Sequence, residues 1–155
     1  VGVDCGQLLA GVYIGAGFFK PDEMLLPEYY SLSVAQHKES TEYVEQIMRF
    51  MREIPESEVQ PGDVVVYKLG LAFAHAAIVV EWPTFVIHAF AHGGVRGASG
   101  NKHPRLLKTS RKFFTLKDEF CYADGGMVEP IQTLVGKHPS EAIIEAWKGL
   151  DSVIE

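Results

Sequence analysis

Between Pro61 and Ala91 the chain reads as three apolar runs separated by turn signals, and this stretch constrains the fold more than any other. Pro61-Gly62-Asp63 is a turn, and the β-branched run VVVYKL from Val64 to Leu69 has the character of a buried strand. GLAF (70–73) connects it to AHAAIVVEW (74–82), a second strand. Pro83-Thr84 makes the next turn and FVIHAFA (85–91) a third strand. Short runs joined by short turns predict an antiparallel meander, because parallel neighbours need longer crossovers. Gly93, Gly94, Gly97 and Gly100 then break the pattern, and RKFFTL (111–116) predicts a further strand.

Helical periodicity flanks this region. Leu8, Leu9, Val12, Tyr13 and Ala16 recur three and four apart, which marks one buried face, with Asp4 as N-cap and Gly15 and Gly17 as the stop. The segment 19–40, punctuated by Pro21 and Pro27, is a loop or excursion. TEYVEQIMRFMREI (41–54) places Val44, Ile47, Met48 and Met51 on one face of a second helix, ended by Pro55, and reads the methionines as core. HPSEAIIEAWKGLDSVI (138–154) carries Ile143, Ile144, Trp147 and Leu150 on one face and predicts a C-terminal helix. The fold class is α+β: helices, then a small antiparallel sheet, then a helix. At 155 residues, one domain is expected, with its core in about 2–117 and an extension over 118–155.

Composition narrows the function classes. With 47% hydrophobic and 22% charged residues, the chain is globular rather than disordered. The net charge of −6 argues against nucleic acid as a partner; HPRLLKTSRK (103–112) is basic but short and reads as a solvated loop or strand edge. The longest apolar stretches fall well short of a membrane span, so no membrane insertion is expected. The chain opens at Val1 without a methionine or signal sequence, which leaves a processed, trimmed or omitted natural N-terminus open. Two cysteines, Cys5 and Cys121, make no dense disulfide framework, although one bridge between them stays open.

The position of Cys5 is informative. It falls in the first turn of the first predicted helix, where the positive end of the helix dipole favours a thiolate. Gly6 beside it leaves room for a substrate backbone. A thiol nucleophile needs a base, and the base needs a third group to fix its tautomer and orientation. His75 shares a strand face with Ala77 and Val79, and His88, 13 residues on, shares one with Val86 and Phe90. If those faces coincide, two imidazoles stand side by side on the sheet, where the helix carrying Cys5 could pack.

The segments DCGQLLAGVYIGAGF, VQPGDVVVYK, HAAIVV and FVIHA together resemble the NlpC/p-sixty family of cell-wall cysteine peptidases, within the papain-like superfamily. The likeness covers residues 2 to about 92 and is closest to the phage-tail-associated branch. It implies a papain-like fold with the nucleophile on the N-terminal helix: Cys5 as nucleophile, His75 as general base, His88 as the orienting residue. It further implies cleavage of peptidoglycan stem peptides, in the cell wall or extracellular space or on a phage tail, with no cofactor or metal. Two features depart from the family: Gly6 replaces the usual serine, and the tyrosine donor expected a dozen residues before the cysteine is absent from the sequence given. The backbone N–H of Cys5 could still help hold an oxyanion. Asp4, Gly6 and Tyr67 are the candidate substrate contacts. Trp82 could line the same pocket.

Other readings carry less weight. His88 and His92 with Cys5 or His75 could surround zinc, but the spacing lacks the tight ligand pairs of such sites. Asp4 and Asp63 fit cap and turn roles, Cys121 a packing role, and Gly93-Gly94 a plain turn; His37, His103 and His138 receive no role. Two alternatives to a peptidase stay open: a structural phage-tail component keeping the fold with little activity, and an amidase or acyltransferase of related fold.

Overall fold

A computed structural model of the chain describes residues 5–20, 22–23, 42–90, 94–98, 102–104, 106 and 108–120. The elements run α1 (Cys5–Gly15), α2 (Glu42–Met48), β1 (Met51–Ile54), β2 (Val64–Leu69), β3 (Ala72–Glu81), β4 (Phe85–Phe90), β5 (Gly94–Ala98) and β6 (Arg111–Leu116), with short 3-10 turns at Glu56–Glu58 and Asp118–Phe120. The α+β class holds for this part of the chain. The six strands form one antiparallel sheet in the order β1-β6-β2-β3-β4-β5.

Helix α1 forms as its periodicity predicts. Leu8, Leu9, Val12, Tyr13 and Ala16 are all buried. The helix stops in a Schellman arrangement around Gly17, whose φ of 86° suits glycine. The Gly17 N–H donates to the Ile14 carbonyl and the Phe18 N–H to the Tyr13 carbonyl, while the Phe18 ring packs edge-on against Tyr13. Tyr13 also ties the helix to the sheet, its hydroxyl donating to the Gly62 carbonyl at 2.7 Å.

The turn before β2 forms around Gly62, at φ 94°, with the Asp63 carboxylate accepting from the Gln60 N–H at 2.8 Å. That is the turn role expected of Asp63. The β2–β3 hairpin closes through Gly70, at φ 71°, so β3 begins at Ala72, inside the stretch read as a connection. The meander β2-β3-β4 forms as expected, and β6 matches RKFFTL residue for residue.

Strand alternation sorts the core into two layers. On one face Val64, Val66, Ala76, Ile78, Ile87, Ala89, Phe114 and Leu116 pack with α1, Tyr43 and Ile47. On the other Ile54, Val65, Tyr67, Ala77, Val79, Val86, Leu106 and Phe113 form a second cluster. Burial on both faces explains why β2 is a continuous apolar run rather than an alternating one.

Four expectations need correction. The second helix ends at Met48, and Met51–Ile54 pairs with β6 as a strand. Met51 is buried but Met48 is 45% exposed, so the methionines form no core stripe. Their spacing of three mimics a helix, yet β6 is apolar on both faces and is completed by a strand on its outer side. Second, Gly94–Ala98 is strand β5, with Ile87 paired to Gly97, where only a break was expected. Third, the basic stretch 103–112 is not loop or edge throughout: its last two residues, Arg111 and Lys112, belong to β6, between β1 and β2, as the strand reading of RKFFTL expects. Fourth, the helix carrying Cys5 was expected to pack on the face of the sheet that bears His75 and His88, but the flank of α1 packs on the opposite face, because the histidines pair with Tyr67 and Ala77 of the second cluster. The predicted C-terminal helix, Asp4, His37, Cys121 and His138 lie outside the described residues.

Candidate functional site

The second face of the sheet carries a polar row across otherwise apolar strands. Register sets it: Arg111 on β6 pairs with Tyr67 on β2, and Tyr67 pairs with His75 on β3. His88 on β4 pairs with Ala77, one same-face position along β3 from His75. The expected coincidence of histidine faces is therefore met. Nε2 of His75 lies 3.0 Å from Nδ1 of His88, a hydrogen bond in which one ring donates and the other accepts. His75 is 3% and His88 2% exposed. The β2–β3 pairing shifts register next to Tyr67, with Tyr67 opposite His75 and Lys68 opposite Phe73. Bulges of this kind re-aim the side chains next to them.

His103 joins the row although its sequence context suggested no role. It is half-buried, and its ring meets His88 edge-on at 5.3 Å between centroids. Nothing in the periodicity of a loop residue 15 positions from His88 signals this approach. Leu106 from the same segment is fully buried in the second cluster.

The electrostatics favour neutral imidazoles. Burial pushes His75 down to about 3, reinforced by His88 and then His103. Burial, and then His103, push His88 down to about 4. Burial raises Tyr67 to about 12 against the opposing pull of Arg111, so its phenol keeps its proton throughout the physiological range. The Arg111 guanidinium lies over both the Tyr67 and Trp82 rings, and donates to the Leu106 and Thr109 carbonyls. Trp82 packs edge-on against Phe113 and donates to the Glu56 carboxylate, so it braces this face.

Cys5 is the first residue of α1, where the dipole argument requires it; its side chain lies outside what the structure describes. Gly6 is buried in the same turn. His92, needed for the zinc reading, lies outside the described residues, and among those described no three His, Cys, Asp or Glu side chains converge as metal ligands. A half-open cleft of about 280 Å³, lined by Arg52, Ile54, Glu58, Gln60, Asp63 and Thr115, lies at the opposite end of β2 from Tyr67.

No family model matches the chain, and no curated protein or solved structure matches it either.

Proposed function

We propose that the chain is a cysteine peptidase or amidase of papain-like, NlpC-type fold that hydrolyses amide bonds in peptidoglycan stem peptides. Cys5 is the nucleophile, His75 the general base and His88 the residue that orients it. The observation that carries this reading is the buried His75–His88 hydrogen bond on adjacent strands. For His75 to act as base, its Nε2 holds the proton and donates to His88, which directs Nδ1 to the thiol.

The tie of α1 to the sheet is consistent with the assignment: the Tyr13 hydroxyl donates to the Gly62 carbonyl, and the Gly62 N–H donates to the Val79 carbonyl of β3, the strand that carries His75. The flank of α1 covers the opposite face of the sheet, so the proposal requires Cys5, the first residue of the helix, to meet the histidine pair from the sheet's end.

In the reaction, His75 takes the thiol proton and the thiolate attacks the amide carbonyl carbon. The tetrahedral oxyanion accepts from the Cys5 backbone N–H at the helix start. The amine leaves with the proton from His75, and a thioester remains on Cys5. Water, deprotonated by His75, releases the carboxylate product. Burial and His88 both oppose a charge on His75, so an imidazolium persists only while a thiolate or oxyanion stands beside it.

The substrate class rests on the order of the sequence motifs, which also makes stem peptides or phage-tail proteins the partners and the cell wall, extracellular space or phage tail the setting. The test of the site is alkylation by iodoacetamide across pH 5 to 9. Cys5 should react faster than Cys121 below neutral pH, and His75→Gln should abolish the difference. Equal, slow labelling of both thiols in the parent would refute an activated cysteine.

A further inference from the structure

Tyr67 holds a feature that the reaction above does not use. Its side chain is fully buried, and its hydroxyl has no hydrogen-bond partner among the described residues. A buried donor without an acceptor is costly, which makes such groups rare in folded proteins and calls for a physical reason where one persists. The neighbours offer none. Arg111, stacked on the ring, has only N–H donors, and its own are directed to the Leu106 and Thr109 carbonyls. The ring stands beside His75, with centroids 6.3 Å apart and planes inclined at 32°. The two residues are paired directly across β2 and β3, so the tyrosine stands beside the imidazole proposed as the base.

We propose that the Tyr67 hydroxyl is the hydrogen-bond donor for the carbonyl oxygen of the acyl group transferred to Cys5, and that it strengthens its bond as that oxygen becomes an oxyanion. The inference rests on the proposed thiol chemistry. Tyr67 donates without giving up its proton: the thiolate forms the C–S bond, the carbonyl π electrons move onto oxygen, and the leaving group departs as the carbonyl re-forms. The guanidinium over the ring fixes the phenol from the opposite side to His75, which preorganises the donor. The hydroxyl is sealed from solvent, so the acyl oxygen reaches it only where the side chains that cover it move aside.

Two reagents separate this role from thiol activation. Acylation by p-nitrophenyl acetate passes through an oxyanion; alkylation by iodoacetamide does not. Tyr67→Phe should slow acylation of Cys5 by on the order of 10²-fold while leaving its alkylation rate and pH profile unchanged. The variant should be at least as resistant to urea as the parent, because it loses only an unpaired hydroxyl. Unchanged acylation in Tyr67→Phe, or equal loss with both reagents, would overturn the role of Tyr67 while leaving the thiol chemistry standing. A parent Cys5 that reacts no faster than Cys121 with iodoacetamide would remove the thiol chemistry itself, and this inference with it.

Discussion

Acidification should unfold this protein through its two buried histidines, and the size of the effect follows from their surroundings. In the unfolded chain an imidazole titrates near the ordinary value of about 6.5. In the folded chain burial, with His88 and His103 nearby, holds His75 down to about 3, and burial, with His103 nearby, holds His88 down to about 4. Between those values and 6.5 the unfolded state binds more protons, so stability falls as pH falls and is fully present above 6.5. At pH 4.5 the unfolded imidazole lies two units below its own value, which is worth about 2–3 kcal/mol per histidine and roughly 5 kcal/mol for the pair. Domain stabilities are typically about 5–15 kcal/mol, so the loss is large. The assay is urea unfolding at pH 7.5, 6.5, 5.5 and 4.5, followed by tryptophan fluorescence, in a Cys5→Ala background so that no thiolate bears on His75. Carboxylates titrate at the lower end of the same window, and the comparison that isolates the histidines is His75→Gln/His88→Gln in that background. The parent background should lose several kcal/mol more than the double variant between pH 6.5 and 4.5. Parallel pH dependences would refute the account of a buried neutral pair.

Other expectations concern the fold. Met51→Ala should cost about 2–5 kcal/mol and Met48→Ala under about 0.5 kcal/mol in urea unfolding, because only Met51 is buried. Equal costs would restore the helical stripe that the strand replaced. Tyr13→Phe should cost about 1–3 kcal/mol by leaving the buried Gly62 carbonyl without this donor; no change would show that the tie does not hold α1 to the sheet. A Cβ at Gly97 would fall inside the Phe85 ring, but that ring is 38% exposed and can swing aside. Gly97→Ala should therefore cost about 1 kcal/mol, and less in a Phe85→Ala background, a coupling that a double-mutant cycle measures directly.

Much of the sheet was legible because its strands carry their own signals. VVVYKL and RKFFTL are runs of β-branched and aromatic residues bounded by turns, and α1 shows its buried stripe and its glycine stop without tertiary information. Strands β1 and β5 were illegible for opposite reasons. Met48 and Met51 fall at helical spacing by coincidence, and the glycines of β5 have poor strand propensity, which pairing with β4 overrides. At the site, the two-residue periodicity of strands was enough to bring His75 and His88 together. It could not show which face α1 covers, since β2, β3 and β4 bury apolar side chains on both sides. Nor could it show His103, which arrives from a loop, or the unmatched Tyr67 hydroxyl, since an unpaired donor is a property of the packed interior.

The central claim is that Cys5 performs amide hydrolysis with His75 as its base, and mass spectrometry of defined muropeptides tests it most directly. Incubated with the chain, stem peptides should be cut, with product masses naming the bond; Cys5→Ala and His75→Gln should leave the same peptides whole. Intact peptides after incubation with the parent, or equal cleavage by Cys5→Ala, would contradict the claim.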